Sequence, residues 1–307
     1  MPGLTTPFKG RGSGISEESK GMCAALCAFC MWGLLPIYWH LLGHIPPFEL
    51  LCHRIVWSTV VVALVVPLTG RVAAFKALVV NRRILARLLI TALLISANWF
   101  LFIWAVSQQR VLDSSLGYFI TPLMNSLLGY LVFKERFTRL QGIGIGFAAA
   151  GVLWSLLSYG SLPFLALAMA LTFALYGMVR KLTPADPLCA LFVETLLVTP
   201  IALAFLCFSY SHGQPMPELP YSFLLVLAGP LTFIPLLFFG YAAQRIRLTV
   251  IGLAQYLSPT LSFLVSIFVL NEAFNVRTLI TFVFIWIGLA LFTWSTWRLA
   301  HPPHRRT

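Results

Sequence analysis

Residues Leu112–Phe137 read LDSSLGYFITPLMNSLLGYLVFKERF, and Val250–Phe274 read VIGLAQYLSPTLSFLVSIFVLNEAF. Set 137 positions apart, the two stretches match: Tyr118, Thr121, Pro122, Asn125, Gly129 and Glu135 fall on Gln255, Ser258, Pro259, Ser262, Ser266 and Glu272. A polar or small face recurs at the same helical positions, with the same proline and the same closing glutamate. A repeat of this kind in a very apolar chain points to a transporter. The register reaches upstream to Trp104-Ala105 against Tyr241-Ala242 and Arg110 against Arg247, and downstream to Gly151 against Gly288. Trp32-Gly33 and Tyr176-Gly177 correspond at an offset of 144.

Of 307 residues, 59% are hydrophobic and only 10% charged, whereas a soluble domain carries about a quarter charged residues. Apolar runs of roughly 20 residues follow one another, each long enough to cross a ~30 Å hydrocarbon core as a helix. Their continuity excludes a membrane barrel, whose strands are ~10 residues of alternating polarity. We expect ten spans, at about 21–42, 48–68, 88–107, 113–133, 139–158, 163–180, 188–209, 221–242, 248–270 and 277–297. Five spans per half is an odd number, so the second half enters the membrane opposite to the first. The expected fold is an all-α integral membrane protein of ten transmembrane helices. It is built as two inverted five-helix repeats at 20–158 and 163–298, with connecting segments at 69–87 and 210–220.

The formal charge of +12 invites a nucleic-acid reading, but the placement of charge argues against it. With a cytoplasmic N-terminus, cytoplasmic segments hold 18 of the 21 Lys and Arg, including Arg82, Arg83, Arg139, Arg180, Lys181, Arg245 and Arg247. Arg110, Arg277 and Arg54 fall towards the other side. This positive-inside bias puts both termini in the cytoplasm and suits anionic headgroups. Residues 1–19 are Gly/Ser/Thr/Pro-rich and expected to be disordered, as is the tail 299–307. The first apolar run is too long for a signal peptide and lacks a small-residue cleavage site, so it should stay as an anchor. All six cysteines lie in or beside apolar runs, which implies packing rather than a disulfide framework. Cys23, Cys27 and Cys30 share a helix face without a charged neighbour, and His40 with His44 makes two metal ligands without a third. Neither set predicts a metal site.

Several motifs carry a family resemblance. They are Trp32-Gly33-Leu34-Leu35-Pro36, Glu49 with His53-Arg54-Ile55-Val56-Trp57-Ser58, Asn98-Trp99-Phe100-Leu101-Phe102, Leu116-Gly117-Tyr118-Phe119-Ile120, Glu135-Arg136-Phe137, Tyr176-Gly177, Glu194-Thr195, Gln255-Tyr256 with Pro259-Thr260, and Phe284-Ile285-Trp286. Together they resemble the RarD proteins, of the EamA branch of the drug/metabolite transporter superfamily, over about residues 19–298. Thr121 and Ser258 depart from the residues the resemblance leads us to expect before the two prolines. The resemblance implies a bacterial inner-membrane transporter and leaves its solute open.

A charge near the bilayer centre costs about 2.5–3.5 kcal/mol on insertion scales, so it faces a cavity or a partner. Glu49, His53 and Trp57 stand at i, i+4 and i+8 on one stripe of span 2, with Arg54 beside it. Glu49 and His53 can pair one turn apart, either as a solute- or proton-binding stripe or as an interfacial ion pair. Glu194 sits deeper and alone in span 7, where desolvation penalises an ionised carboxylate, the property a proton carrier needs. Glu49, His53 and Glu194 are therefore the proton-coupling candidates, against a structural role for each. Asn98, Trp99, Tyr118, Asn125, Gln255 and Ser262 offer uncharged hydrogen bonding along a solute path; Trp32, Trp57, Tyr176 and Tyr256 offer walls. Such residues also simply glue helices or mark interfaces. Glu135 and Glu272 are read as caps or partners of Arg136 and Arg277.

The leading function is thus a secondary transporter of small organic metabolites or drugs working by alternating access, with protons as a candidate coupling ion. No phosphate-binding loop of an ATPase is present in the sequence, and no enzyme activity or cofactor is implied. The rivals are an integral-membrane lipid or isoprenoid enzyme, which needs clustered acids or a nucleophile–base pair, and a non-transporting membrane interaction protein. Expected partners are the solute and the bilayer, with no nucleic acid; a homodimer stays open.

Overall fold

The computed structural model describes residues 16–43, 45–107, 111–159, 164–215, 218–269 and 276–300. They form α1 (Glu17–Leu41), α2 (Pro47–Leu68), α3 (Val72–Val80), α4 (Arg82–Ser107), α5 (Val111–Phe133), α6 (Arg139–Tyr159), α7 (Phe164–Leu182), α8 (Pro187–Ser211), α9 (Tyr221–Ala243), α10 (Leu248–Gln255), α11 (Leu257–Phe268) and α12 (Val276–Ala300). Among the described residues nine helical spans are long and apolar enough to cross a membrane, and α5 adds a shorter apolar run at Gly117–Phe133. Leu64, Leu93, Leu157 and Ile201 lie more than half exposed on the outside of this bundle. In water such a surface would drive association; in lipid it is solvated, while the backbone is satisfied within each helix.

Local chemistry sets the helix ends. The Ser16 hydroxyl accepts from the Ser19 N–H and starts α1. Residues 17–19, expected to be disordered, are therefore helical, and Glu17 pairs with Lys20 and Arg245. Proline at the first helical position begins α2 and α8, where the missing N–H has no intrahelical acceptor anyway. Asp186 caps α8 by accepting from Leu188 N and Cys189 N, and it also pairs with Arg71. The segment 69–87, read as a connection, holds α3 and the first turns of α4. Span 9 is broken into α10 and α11 at Tyr256. Pro259 explains the break, since it cannot donate to the carbonyl of Gln255 one turn earlier and its ring crowds that group. Pro122 sits inside α5 without dividing it.

Helices from the two ends of the chain interlock. α1 packs on α9 and on α10–α11; α7 packs on α4 and α5; α2 crosses α8, α5 crosses α10, and α6 lies along α12. At two crossings, positions that the 137-residue register equates meet each other. The Tyr256 hydroxyl donates to the Phe119 carbonyl, 137 positions away. The rings of Phe147 and Phe284 lie 6.3 Å apart. At the α2–α8 crossing Thr59 and Thr199, outside that register, share a 2.6 Å hydrogen bond. Along α6 and α12, a Cβ on Gly144 would lie 2.7 Å from the Gly288 carbonyl oxygen, and one on Gly151 2.9 Å from that of Thr281. In the 137-residue register these two contacts exchange into one another.

Glu272, Arg110, His44 and the segments 1–15 and 301–307 lie outside the described residues.

Candidate functional site

α2, α4, α7, α8 and α9 surround a narrow cavity lined by Ile55, Ile95, Trp99, Tyr176, Leu191, Glu194, Thr195, Val198 and Leu236. Glu194 comes from the second turn of α8. It is buried but not alone, which corrects the sequence reading. Thr91 of α4 donates to its Oε1 at 2.6 Å, the Tyr176 hydroxyl of α7 approaches Oε2 at 3.4 Å, and Arg180 Nη1 lies 3.5 Å from Oε1. Arg180 is fully buried, so it does not belong with the cytoplasmic surface charges. Its side chain lies against Gly240 of α9, where a Cβ would strike Nη2. Nη2 also donates to the Pro187 carbonyl at 3.4 Å, while Nε and Nη1 have no hydrogen-bond acceptor among the described residues. An ion pair of this kind repays its desolvation only with good geometry.

A second polar group lies towards the start of α2. The Tyr210 hydroxyl donates to Glu49 Oε1 at 2.7 Å and sits 2.8 Å from His53 Nε2. The expected one-turn pair of Glu49 and His53 is thus bridged by a phenol from α8. With Glu49 ionised, the single hydroxyl proton serves the carboxylate, and His53 Nε2–H donates to the phenol oxygen. Glu49 is buried and His53 half-buried.

Arg54 makes a third group. Its Nε donates to Thr232 of α9 at 3.0 Å, and its guanidinium carbon lies 4.8 Å from the Trp39 ring centre and 5.6 Å from that of Trp99. Tyr38 and Tyr118 lie within its electrostatic range, and no described carboxylate pairs with it. Trp99 is common to the Arg54 cluster and to the cavity beside Glu194.

The other expected path residues divide. Asn98 donates to the Met169 carbonyl at 2.8 Å and to Thr172 at 3.1 Å, which joins α4 to α7. Asn125 donates to Gln255 Oε1 at 3.2 Å; both are buried between α5 and α10, and Asn125 Oδ1 has no partner among the described residues. Tyr256 is core, as its bond to Phe119 requires. Ser262 donates to the Gly33 carbonyl at 3.1 Å. Trp32 packs among Phe29, Phe173 and Phe239. The Trp57 backbone touches Gly229, where a Cβ would sit 2.6 Å from its carbonyl carbon. Tyr118 is exposed at 45%. Glu135 caps α10, accepting from Leu248 N at 2.8 Å and Thr249 N at 3.2 Å, and its ionic neighbour is Arg247 at 3.6 Å rather than Arg136. Cys23 and Cys27 are exposed on the outer face of α1 instead of packed.

Sequence reading missed Arg180, Tyr210, Thr91 and Thr232. Arg180 begins an Arg-Lys pair at a helix end and so looks like a flanking charge. Tyr210 closes α8 as an ordinary interfacial aromatic would. Neither has a local signal of its inward role.

The EamA-like transporter family profile matches this chain twice, over residues 19–157 and 161–294. The uncharacterized transporter YojE of Bacillus subtilis is 41% identical, across 94% of this chain and 99% of that protein. Protein RarD of Escherichia coli is 38% identical, across 90% and 94%. The chloramphenicol-sensitive protein RarD of Pseudomonas aeruginosa is 34% identical, across 94% and 98%. A solved crystal structure superposes with a TM-score of 0.71 at 18% identity, over 91% of this chain and 99% of its own, which is a likeness of fold. A family profile that matches both halves, and relatives aligned over nearly their whole length, place this chain in the EamA-like transporter family, in the branch that holds the RarD proteins.

Proposed function

We propose that the chain is a secondary transporter that moves small organic solutes across the bacterial inner membrane by alternating access. The family is one of transporters, and the relatives named above carry that description or the RarD name. The observation that carries the mechanism is the contact of equated positions, Phe119 with Tyr256 and Phe147 with Phe284. Two inverted five-helix halves related by an axis in the membrane plane would meet themselves at such places, and the double match of one family profile supports the same reading. Rocking the halves about this axis would open the Arg54–Trp99–Glu194 region to one side and then the other.

Protons are the proposed coupling ion, with Glu194, His53 and Glu49 as carriers. Each is linked to a neighbour that must change when it gains a proton. Glu194 would loosen Arg180, and a protonated Glu49 would no longer need the Tyr210 proton. The test is an untargeted comparison of solutes inside and outside cells with and without this chain, at two external pH values. A reproducible, pH-dependent shift of a small solute set supports the proposal; identical profiles overturn it.

A further inference from the structure

A guanidinium is seldom carried into a membrane bundle without a counter-charge, because its desolvation is not repaid by rings and hydroxyls alone. Arg180 has Glu194. Arg54 has Thr232, Trp39 and Trp99 instead. Thr232 occupies Nε and so orients the planar fork. The edge formed by Nη1 and Nη2 makes no hydrogen bond to a described residue, and it has the spacing that grips a carboxylate through two parallel bonds. The two indoles come from α1 and α4, so apolar rings of two helices line the site of the cation. Leu236 and Ile95 continue that lining into the cavity beyond Trp99.

We propose that Arg54 anchors an organic anion, a carboxylate held on the Nη edge with an apolar or aromatic body against Trp39 and Trp99. This names a substrate class within the transporter reading and rests on it. The bound carboxylate supplies the counter-charge that no described side chain gives, and a neutral solute of the same shape would not supply it.

The test uses the full-length protein purified in detergent, with phenylacetate and 4-phenylbutyrate as probes and their primary amides as uncharged matches. Thermal stability and tryptophan fluorescence are read against probe concentration. The carboxylates should raise the melting temperature saturably, and the amides should not. Arg54→Gln should raise the half-saturating concentration at least tenfold. Arg54→Lys keeps the charge without the fork, so it should fall between, and it carries the test if the glutamine variant does not fold. Equal stabilisation by amides and carboxylates, no saturable effect of either carboxylate, or wild-type affinity in both variants would overturn the assignment. Flux measurements separate this failure from failure of the transporter reading. Proteoliposome flux of neutral or cationic solutes only, equal in wild type and Arg54→Gln, rejects the anion site and leaves transport standing. Absence of flux for every solute rejects transport, whatever the probes do.

Discussion

Arg180 and Glu194 are each costly alone and tolerable together. Removing one partner of a buried pair leaves an uncompensated charge and costs about 3–5 kcal/mol, while removing both is often far milder. Thermal unfolding of Arg180→Gln and Glu194→Gln should therefore show two strongly destabilised proteins, and the double variant should be more stable than either. A double variant at least as unstable as the sum of the singles would contradict an interaction between them. Function at this scale concerns the proton. Glu194→Gln or His53→Gln should abolish pH-driven accumulation and retain solute exchange at equilibrium. Full pH-driven accumulation in both would reject proton coupling through these groups. Glu194 and His53 were legible in the sequence because a charge in an apolar run is conspicuous. Arg180 and Tyr210 were not, since both stand at helix ends, where basic and aromatic residues are commonplace. Only the path of α7 and α8 turns them inward.

Elements followed the hydrophobic runs closely, because in lipid an apolar stretch of sufficient length has few alternatives to a helix. Amphipathic or polar-flanked turns escaped that reasoning. α3 and the first turns of α4, at 72–80 and 82–87, carry Lys76, Arg82, Arg83 and Arg87 and read as a loop. The break at Tyr256 was hidden because a proline in an apolar run need not divide a helix, as Pro122, the equivalent of Pro259, shows in α5. The closest crossing offers a sharp test. A Cβ on Gly288 would collide with the Gly144 carbonyl, which is backbone and cannot swing aside. Gly288→Ala should lower stability by about 3 kcal/mol, the upper range of overpacking. Gly146, two residues along α6 and so on the far side of the helix from this contact, has open space around its Cβ position. Gly146→Ala should be neutral or stabilising by about 0.5–1 kcal/mol, as a helical Gly→Ala exchange allows. Melting temperatures of the two variants check this; equal effects would mean that α6 and α12 do not meet as described.

For the whole molecule, the proposed inverted halves would impose a topology. Reporter fusions after Arg83, Arg139, Arg247 and the C-terminus should be cytoplasmic, and those after His44 and His212 extracytoplasmic. Arg139 and Arg247 on opposite sides would rule out ten spans in two inverted halves. The proposed repeat rests in the sequence on Pro122 and Pro259, which pin one register, and on the polar positions that recur around them. The meeting of equated residues at crossings was not legible there, since it depends on which helices pack together.

The most direct test of the central claim is solute flux in proteoliposomes that contain only the purified chain. The vesicles are loaded with a mixed extract of small metabolites and placed under an imposed pH gradient, with empty vesicles as the control. The account predicts selective loss or gain of a few organic solutes, abolished when the gradient is collapsed. Retention of every solute at the level of empty vesicles, with the protein inserted and folded, would contradict it.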